Sequence, residues 1–338
     1  DRAKTMPKVE IRKMCRDCAE KFVGIQGEGF KRLGVFGDYD HPYKTMSPDY
    51  EACIVEVFGR ILEKGYINRN KKPIYWCPTC VTALAEAEVE YDMHTSTSIY
   101  VKFPVEAASV KFGGDKNKTF AVIWTTTPWT IPANLGVSFH PDFEYLSCRF
   151  NDEYFIIASG LLEQFESVTG LKHSEAIALT AENIKELHVR HPFIDRESKV
   201  LLGKHVTLEQ GTGIVHTAPG HGHDDYIIGL ANGLDIYCPV DDEGKYTSDF
   251  PEMKGMHVFK ADAEIVRLLE SKNALVQSGK IEHSYPHCWR CKKPLIYRAT
   301  EQWFFSMDHQ GLRNKGLAAV DQTEWVPSWG ETRFRSMV

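Results

Sequence analysis

Residues 123–134, IWTTTPWTIPAN, place four threonines where an apolar run ends. The preceding residues 121–124 have the pattern of a buried strand, and Pro128 and Pro132 prevent that strand from continuing. Threonine hydroxyls both donate and accept hydrogen bonds. Two interpretations are therefore open at this level: the hydroxyls satisfy a turn, or they line a binding site.

The composition is that of an ordinary globular protein. The chain has 338 residues, of which 43% are hydrophobic and 25% charged, and its formal net charge is −6. It contains no apolar run of membrane-spanning length and no signal-peptide pattern, so we predict a cytoplasmic protein without a membrane partner. The net charge argues against a broad phosphate-binding surface, but it allows contact with a short single-stranded nucleic-acid end.

The order of the sequence patterns predicts an α/β fold. Residues 10–33 have helical apolar spacing, and a second helix is predicted to begin with Ser47 as N-cap, Pro48 as its first residue, and to end at Gly65. Short strand-like runs then alternate with helices, which favours a compact β-barrel-like domain. We predict a helical stem at 1–95, the barrel-like domain at 96–280 and a return segment at 281–338. The first residue is not Met, so a fragment is one expectation.

Two cysteine pairs have the spacing of metal-binding turns: Cys77-Pro-Thr-Cys80 and Cys288-Trp-Arg-Cys291. Four thiolates hold zinc tetrahedrally at about 2.3 Å. We predict one structural Zn²⁺ on these four cysteines, at the base of the barrel-like domain, where the chain leaves it and returns. The alternative is two unrelated pairs of small buried residues. A third pair, at 15–18, has no second pair to complete a site, and we predict that it binds no metal.

The segment 211–226, GTGIVHTAPGHGHDDY, is dense in His and Asp after a short strand. Its run from His221 to Asp225 is similar to the metal-ligand run of the metallo-β-lactamase fold, but Tyr226 stands where the final His would be. A metal hydrolase and a turn with surface histidines are both alternatives here. No P-loop, nucleophile elbow or dinucleotide fingerprint is present, so chemistry at the threonines would use water as the nucleophile.

Residues 125–134 together with 211–226 closely resemble the editing domain of the isoleucyl-tRNA synthetase family of class I synthetases. The valine and leucine families carry an Arg where this chain has Thr127. The flanking segments 71–91 and 285–304 resemble the bacterial type. The HIGH and KMSKS signatures are absent, so the resemblance implies a fragment, and ATP and Mg²⁺ are expected only in the parent enzyme.

The resemblance implies that the chain hydrolyses valine that has been wrongly attached to the 3′ end of tRNA(Ile). One methylene contributes only about 1–3 kcal/mol to selection, so a second and smaller site removes valine; this family is the standard example of that argument. By resemblance, the expected catalytic residues are Thr125, Thr126, Thr127 and Asp225, and the expected substrate-binding residues are Trp129, Thr130, Asn134 and His216.

The resemblance also implies individual roles and partners. Asp225 is expected to bind the substrate's α-ammonium group, and His216 is expected to form a pocket wall that excludes isoleucine. A ribose hydroxyl of the tRNA is expected to help orient the water. The implied partners are tRNA(Ile) carrying valine and the rest of the synthetase chain. An inert tRNA-binding module is the alternative to an editing hydrolase.

Overall fold

A computed structural model describes residues 5–338 and has the predicted α/β class. The α-helices are α1 (Lys8–Arg32), α2 (Pro48–Glu63), α3 (Leu162–Thr169), α4 (Ala181–Lys185), α5 (His223–Ala231), α6 (Val258–Ser271), α7 (Leu312–Asp321) and α8 (Trp329–Met337). Short 3-10 helices lie at Glu86–Glu88, Ala107–Ser109, Pro128–Ala133, Ser159–Leu161, Pro251–Met253 and His309–Gly311. Within the described range, no helix is long and apolar enough to cross a bilayer.

The strands belong to three sheets. They are β1 (Ile67–Cys77), β2 (Thr82–Ala83), β3 (Val89–Pro104), β4 (Thr119–Thr125), β5 (Gly136–Phe139), β6 (Tyr145–Phe150), β7 (Glu153–Ala158), β8 (His173–Leu179), β9 (Val189–Arg190), β10 (Glu197–Leu202), β11 (Ile214–Thr217), β12 (Leu275–Cys288) and β13 (Ile296–Phe305). The sheet orders are β13-β1-β2, β11-β5-β10-β9 and β12-β3-β4-β7-β6-β8. All three sheets are open, and none of them closes into a barrel within residues 5–338.

The chain clusters into two compact units. The central unit is Asn70–Gln302, and the terminal unit combines Asp1–Arg69 with Trp303–Val338. β3 runs through the predicted boundary at 95/96, and β12 runs through the one at 280/281. The three-part division drawn from sequence therefore stays a prediction.

The core of the central unit follows from side-chain periodicity. Alternate residues of β3 point to one face of the sheet, while residues four apart on α6 share a face of the helix. Ile99, Val101 and Phe103 from β3 are fully buried, as are Ala261 and Ile265 from α6. These side chains belong to one apolar cluster.

The opposite face of the same sheet is buried as well. Val122 of β4 packs there in a second cluster with Phe155 of β7 and Phe165 of α3. Because β4 is covered on both faces, its sequence AVIW is apolar without alternation, as expected for a strand buried on both sides.

In the terminal unit the predicted helices are confirmed. α1 covers the first predicted segment, and α2 begins at Pro48 after Ser47, as expected. The chain leaves α2 at Gly65, whose φ of +78° is the left-handed conformation that glycine tolerates best. None of the residues of α1 and α2 is buried.

Candidate functional site

The segment that breaks β4 forms a compact turn. β4 ends at Thr125, and a 3-10 helix follows at Pro128–Ala133, with Pro128 as its first residue and all six residues buried. Proline is tolerated there because the first helical N–H would lack an intrahelical acceptor. The two prolines therefore turn the chain out of the sheet, as predicted. We call residues 125–130 the threonine strap.

Three of the strap hydroxyls bond within the strap. The Thr127 N–H donates to Thr125 Oγ1 at 3.1 Å, and the Thr125 and Thr127 hydroxyl oxygens are 3.1 Å apart. The Thr130 hydroxyl donates to the Thr127 carbonyl at 2.8 Å. Thr126 differs, since its hydroxyl makes no side-chain hydrogen bond within the described residues. The turn and the site interpretations are thus compatible: three hydroxyls shape the turn, and one is available to a ligand.

A buried row of side chains holds the strap from one side. Ser198 donates its hydroxyl to Asn134 Oδ1 at 2.6 Å, and Asn134 Nδ2 lies 3.3 Å from His216 Nδ1. The Asn134 amide nitrogen only donates, so His216 Nδ1 accepts and Nε2 carries the proton. Nε2 lies 2.9 Å from the Thr130 hydroxyl, to which it donates.

The environment keeps His216 neutral. Burial, with a smaller contribution from nearby His221, lowers its pKa to about 4. Both ring nitrogens are already engaged in hydrogen bonds, so the ring has no nitrogen left to take a proton from water. The arrangement suits a positioning contact to Thr130 rather than a general base, and His216 lines neither of the two clefts that flank the strap.

Two clefts flank the strap, and Thr126 lines both. The ribbon cleft, ≈ 420 Å³, is lined by residues 94–97 of β3, Tyr285 of β12, residues of α6, and the strap residues Thr126, Thr127 and Trp129. The loop cleft, ≈ 410 Å³, is lined by residues 124–126 and by residues between 205 and 215. Thr126 is therefore the one strap residue that lines both clefts.

Asp225 lies at the beginning of α5, and its carboxylate accepts the Ala218 N–H at 2.9 Å. Ala218 follows β11, two residues after His216, so this bond ties α5 to the strand that carries the histidine. Burial raises the pKa of Asp225 to about 6, against the effect of the Ala218 N–H. Asp225 is not among the residues that line the two clefts.

Sequence reasoning missed a set of side chains that hold the strap from the other side. The Trp129 N–H donates to Asp262 Oδ1 at 3.0 Å, and the Tyr246 hydroxyl donates to the Trp129 carbonyl. Burial raises the pKa of Asp262 to about 7, although the Trp129 N–H opposes this shift. These partners lie more than a hundred positions from Trp129, and no local motif marks them.

Further carbonyls of the same 3-10 helix are bound by buried side chains. His191 Nε2 donates to the Ile131 carbonyl at 2.9 Å, while its Nδ1 accepts the Ile194 N–H at 3.0 Å. Burial lowers the pKa of His191 to about 3, so the ring is neutral at ordinary pH. Arg196 donates to the Pro132 carbonyl. Each of these contacts restricts the movement of the segment that follows the strap.

The segment His221–Asp225 does not form a metal site. His221 Nδ1 donates to the Tyr297 carbonyl at 2.8 Å, and His223 is exposed at the first turn of α5. Within residues 5–338, the one group of His, Cys, Asp or Glu side chains arranged to hold an ion lies elsewhere. The geometry therefore gives no support to the metallo-β-lactamase alternative.

That group consists of the four predicted cysteines. Their sulfur atoms all lie within 4.8 Å of one another, a separation compatible with the sulfur–sulfur distance of about 3.8 Å around a tetrahedral zinc. In each pair a residue with positive φ follows the second cysteine: Val81 at +53° and Lys292 at +56°. Both turns thus use the same backbone bend, and the predicted grouping of the four cysteines, which could hold one metal ion, is confirmed.

The family model for class I tRNA synthetases specific for isoleucine, leucine, methionine and valine matches residues 1–338. The chain belongs to the class I tRNA synthetases. Isoleucine–tRNA ligase from Fervidobacterium nodosum is 50% identical to it over 338 residues, which is all of this chain and 36% of the relative. Isoleucine–tRNA ligase from Geobacter sulfurreducens is 50% identical over 335 residues, covering 98% of this chain and 36% of the relative.

This synthetase chain therefore spans about a third of the length of the curated relatives that it matches. A solved structure described as the crystal structure of GlLeuRS-CP1 superposes with a TM-score of 0.40 at 15% identity, over 56% of this chain and 99% of the other. That likeness is too low to carry an argument about the site.

Proposed function

We propose that this chain is the proofreading part of a synthetase that attaches isoleucine to tRNA(Ile), and that it hydrolyses Val-tRNA(Ile). The support is the match to isoleucine–tRNA ligases over the whole chain and the geometry of the strap. ATP and Mg²⁺ would act in the ligation reaction of the larger enzyme and have no role in the hydrolysis.

The observation that carries the proposal is the difference between Thr126 and its neighbours. The hydroxyls of Thr125, Thr127 and Thr130 are held in a hydrogen-bonded turn, which leaves Thr126 facing both clefts. A rigid turn with an available hydroxyl suits the positioning of an ester and of a water molecule, since pre-organised donors and acceptors need no rearrangement during reaction.

Asp225 would bind the α-ammonium group of the aminoacyl ester. Burial disfavours the charged form of Asp225, as its pKa of about 6 indicates. The positive charge of an adjacent ammonium group would compensate by favouring the charged carboxylate. Ala218 and α5 hold the carboxylate in place. A charge-assisted hydrogen bond of this kind contributes on the order of 1.5–3 kcal/mol.

Water would be the nucleophile in this mechanism. Threonine hydroxyls stay neutral near pH 7, and His216 is neutral with both ring nitrogens in hydrogen bonds. A free ribose hydroxyl of the terminal adenosine would therefore help to orient the water. A deoxy substitution at that hydroxyl should slow hydrolysis, and an unchanged rate would exclude this step.

Deacylation tests the proposal directly. The chain is incubated with Val-tRNA(Ile) and with Ile-tRNA(Ile), and the loss of each ester is followed. We expect hydrolysis of the valyl ester and survival of the isoleucyl ester. Survival of both esters together with measurable tRNA binding would favour the inert binding module, and loss of both at equal rates would contradict proofreading.

We also propose that the four clustered cysteines hold one structural Zn²⁺. Two cysteine turns from separate parts of the chain converge there, so the ion would join segments that lie more than two hundred positions apart.

We expect metal analysis of the purified chain to give one zinc per molecule. A Cys77→Ser variant should lose it, whereas a Cys148→Ser variant, changed at a buried cysteine outside the cluster, should keep it. Well under one zinc in the unaltered chain would contradict this assignment.

The rest of the synthetase polypeptide is the proposed partner of the terminal unit. α1, α2 and α8 contain no buried residue, and each presents exposed apolar side chains, such as Ile25, Ile54 and Trp329. Exposed apolar helix faces are typical of interaction surfaces. The relatives contain nearly twice as much further polypeptide as the part matched here, enough to cover these faces.

A further inference from the structure

The backbone of Trp129 is held by two side chains from distant parts of the sequence. Trp129 is the second residue of the 3-10 helix Pro128–Ala133, and its N–H donates to Asp262 Oδ1 at 3.0 Å. Its carbonyl accepts the hydroxyl of Tyr246. Both backbone polar groups of one residue in the threonine strap are therefore satisfied by side chains.

The first turn of a helix leaves N–H groups without intrahelical acceptors. Pro128 has no N–H, and the Thr130 N–H already bonds to the Thr127 carbonyl at 3.0 Å. The Trp129 N–H is thus the donor of this turn that needs an acceptor from outside it. Asp262 meets this need, and because Trp129 is buried an unpaired N–H there would be costly.

Asp262 is itself held firmly. It lies in α6, whose buried residues Val258, Ala261, Ile265 and Leu269 anchor the helix in the core of the central unit. α6 also packs against the 3-10 helix that contains Trp129. A displacement of α6 would therefore require movement of the core, so the bond ties the strap to a helix with a fixed position.

We propose that Asp262 is a positioning residue for the hydrolysis: by accepting the Trp129 N–H it sets the conformation of the threonine strap. This inference rests on the proposed editing function, which supplies the reaction. Thr127 and Thr130 share a hydrogen bond immediately beside Trp129, so a strap released from Asp262 would no longer present Thr126 and Thr127 in one geometry.

The carboxylate also lines the ribbon cleft beside Thr126 and Thr127, which suggests the competing role of a proton acceptor. The two roles make different demands on the side chain. Accepting an N–H needs only a carbonyl-type oxygen, which asparagine provides at the same position. Taking a proton from water needs a carboxylate, which asparagine lacks.

The test compares Asp262→Asn, Asp262→Ala and, as a matched control on the same helix, the exposed Glu270→Ala. Hydrolysis of Val-tRNA(Ile) is measured at saturating and limiting substrate to separate kcat from KM. We expect Asp262→Ala to lower kcat about tenfold with little change in KM, the effect of losing one buried hydrogen bond. We expect Asp262→Asn and Glu270→Ala to stay close to the unaltered chain.

A second measurement does not depend on hydrolysis. Amide hydrogen exchange of the peptide covering 125–134 should be about tenfold faster in Asp262→Ala, and unchanged in Asp262→Asn and Glu270→Ala. If the unaltered chain hydrolyses nothing, the proposed editing function fails, and this exchange still decides whether Asp262 holds the strap.

Two results would overturn the inference. Asp262→Ala with unaltered exchange would show that the carboxylate does not position the strap. A loss of kcat in Asp262→Asn as large as in Asp262→Ala would assign the carboxylate a proton-transfer or charge role instead.

Discussion

The central and terminal units differ in where their apolar side chains lie. In the central unit, strands and helices bury both faces of the middle of the six-stranded sheet, and Ile99, Ile123 and Ile265 are fully buried. In the terminal unit, α1 and α2 contain no buried residue, and Ile25 is 54% exposed. Both units have the helical or strand periodicity expected of stable elements.

The difference teaches that periodicity predicts an element but does not say what covers its apolar face. An amphipathic helix gains most of its stability from packing that face against a partner. In the central unit the partner is part of the same unit. For the terminal unit we propose that the partner is the remainder of the synthetase polypeptide.

The largest expected effect is on stability and contrasts the units directly. Ile123→Ala should lower the free energy of unfolding by about 2–5 kcal/mol, because it leaves a cavity among fully buried neighbours. Ile25→Ala on α1 should change it by less than about 0.5 kcal/mol, since the side chain is largely exposed. Urea unfolding measures both, and equal losses would show that α1 is packed in solution.

The next effect is on hydrolysis, and it locates the chemistry in the central unit. Asp225→Asn keeps a side-chain oxygen for the Ala218 N–H but removes the charge. We expect the rate on Val-tRNA(Ile) to fall about 10- to 100-fold, the loss of a charge-assisted bond to the substrate. Asp38→Asn, at an exposed carboxylate of the terminal unit, is the matched control and should have no effect. A full rate in Asp225→Asn would remove the proposed role of the carboxylate.

A related change affects selectivity rather than rate. We also propose that the His216 ring excludes isoleucine; on that role, His216→Ala should allow Ile-tRNA(Ile) to be hydrolysed, because it removes more than the volume of one methylene. The variant should lose about 1–3 kcal/mol of selectivity, which is roughly a 10- to 200-fold difference between the hydrolysis rates of the two esters. Deacylation of both esters by the variant measures it. Unchanged selectivity would mean that another side chain excludes isoleucine.

The smallest expected effect concerns pH. The pKa of Asp262 is about 7 in the folded chain and lies near 3.9 in an unfolded chain. At pH values between these two pKa values, the folded state binds a proton that the unfolded state does not. The free energy of unfolding therefore rises as the pH falls through this range. Asp262→Asn should therefore be more stable than the unaltered chain at pH 8, by about 1 kcal/mol after allowance for solvent screening, and the difference should vanish near pH 4. Thermal unfolding at both pH values tests this, and a difference that does not depend on pH would contradict it.

Much of the architecture was predictable from local sequence signals. The helices after Lys8 and Ser47, the apolar strand 121–124 and its termination at two prolines each depend on neighbouring residues only. The prediction of a barrel-like domain was less accurate, because the sequence does not show whether the two edges of a sheet meet. Here the six-stranded sheet ends at β12 and β8 and stays open.

The candidate site likewise contains residues that the sequence predicts and residues that it does not. The threonines and the His-Asp segment are conspicuous motifs, and the four-cysteine grouping follows from two short spacings. The partners that hold the strap were not foreseeable. Asp262, Tyr246 and His191 are ordinary residues in ordinary local sequence, and they gain a role only where the fold brings them to the backbone of residues 129–131.

By itself, the sequence determined the elements, their ends and the polar residues at the break in β4, because these depend on backbone sterics and on side chains a few positions apart. Only the tertiary structure decided what holds the threonine strap from outside. His216 reaches Thr130, and Asp262 and Tyr246 reach Trp129, from positions at least 86 residues away in the sequence. The physical reason is that a buried hydrogen bond needs its partner within about 3 Å, and the fold sets which groups come that close.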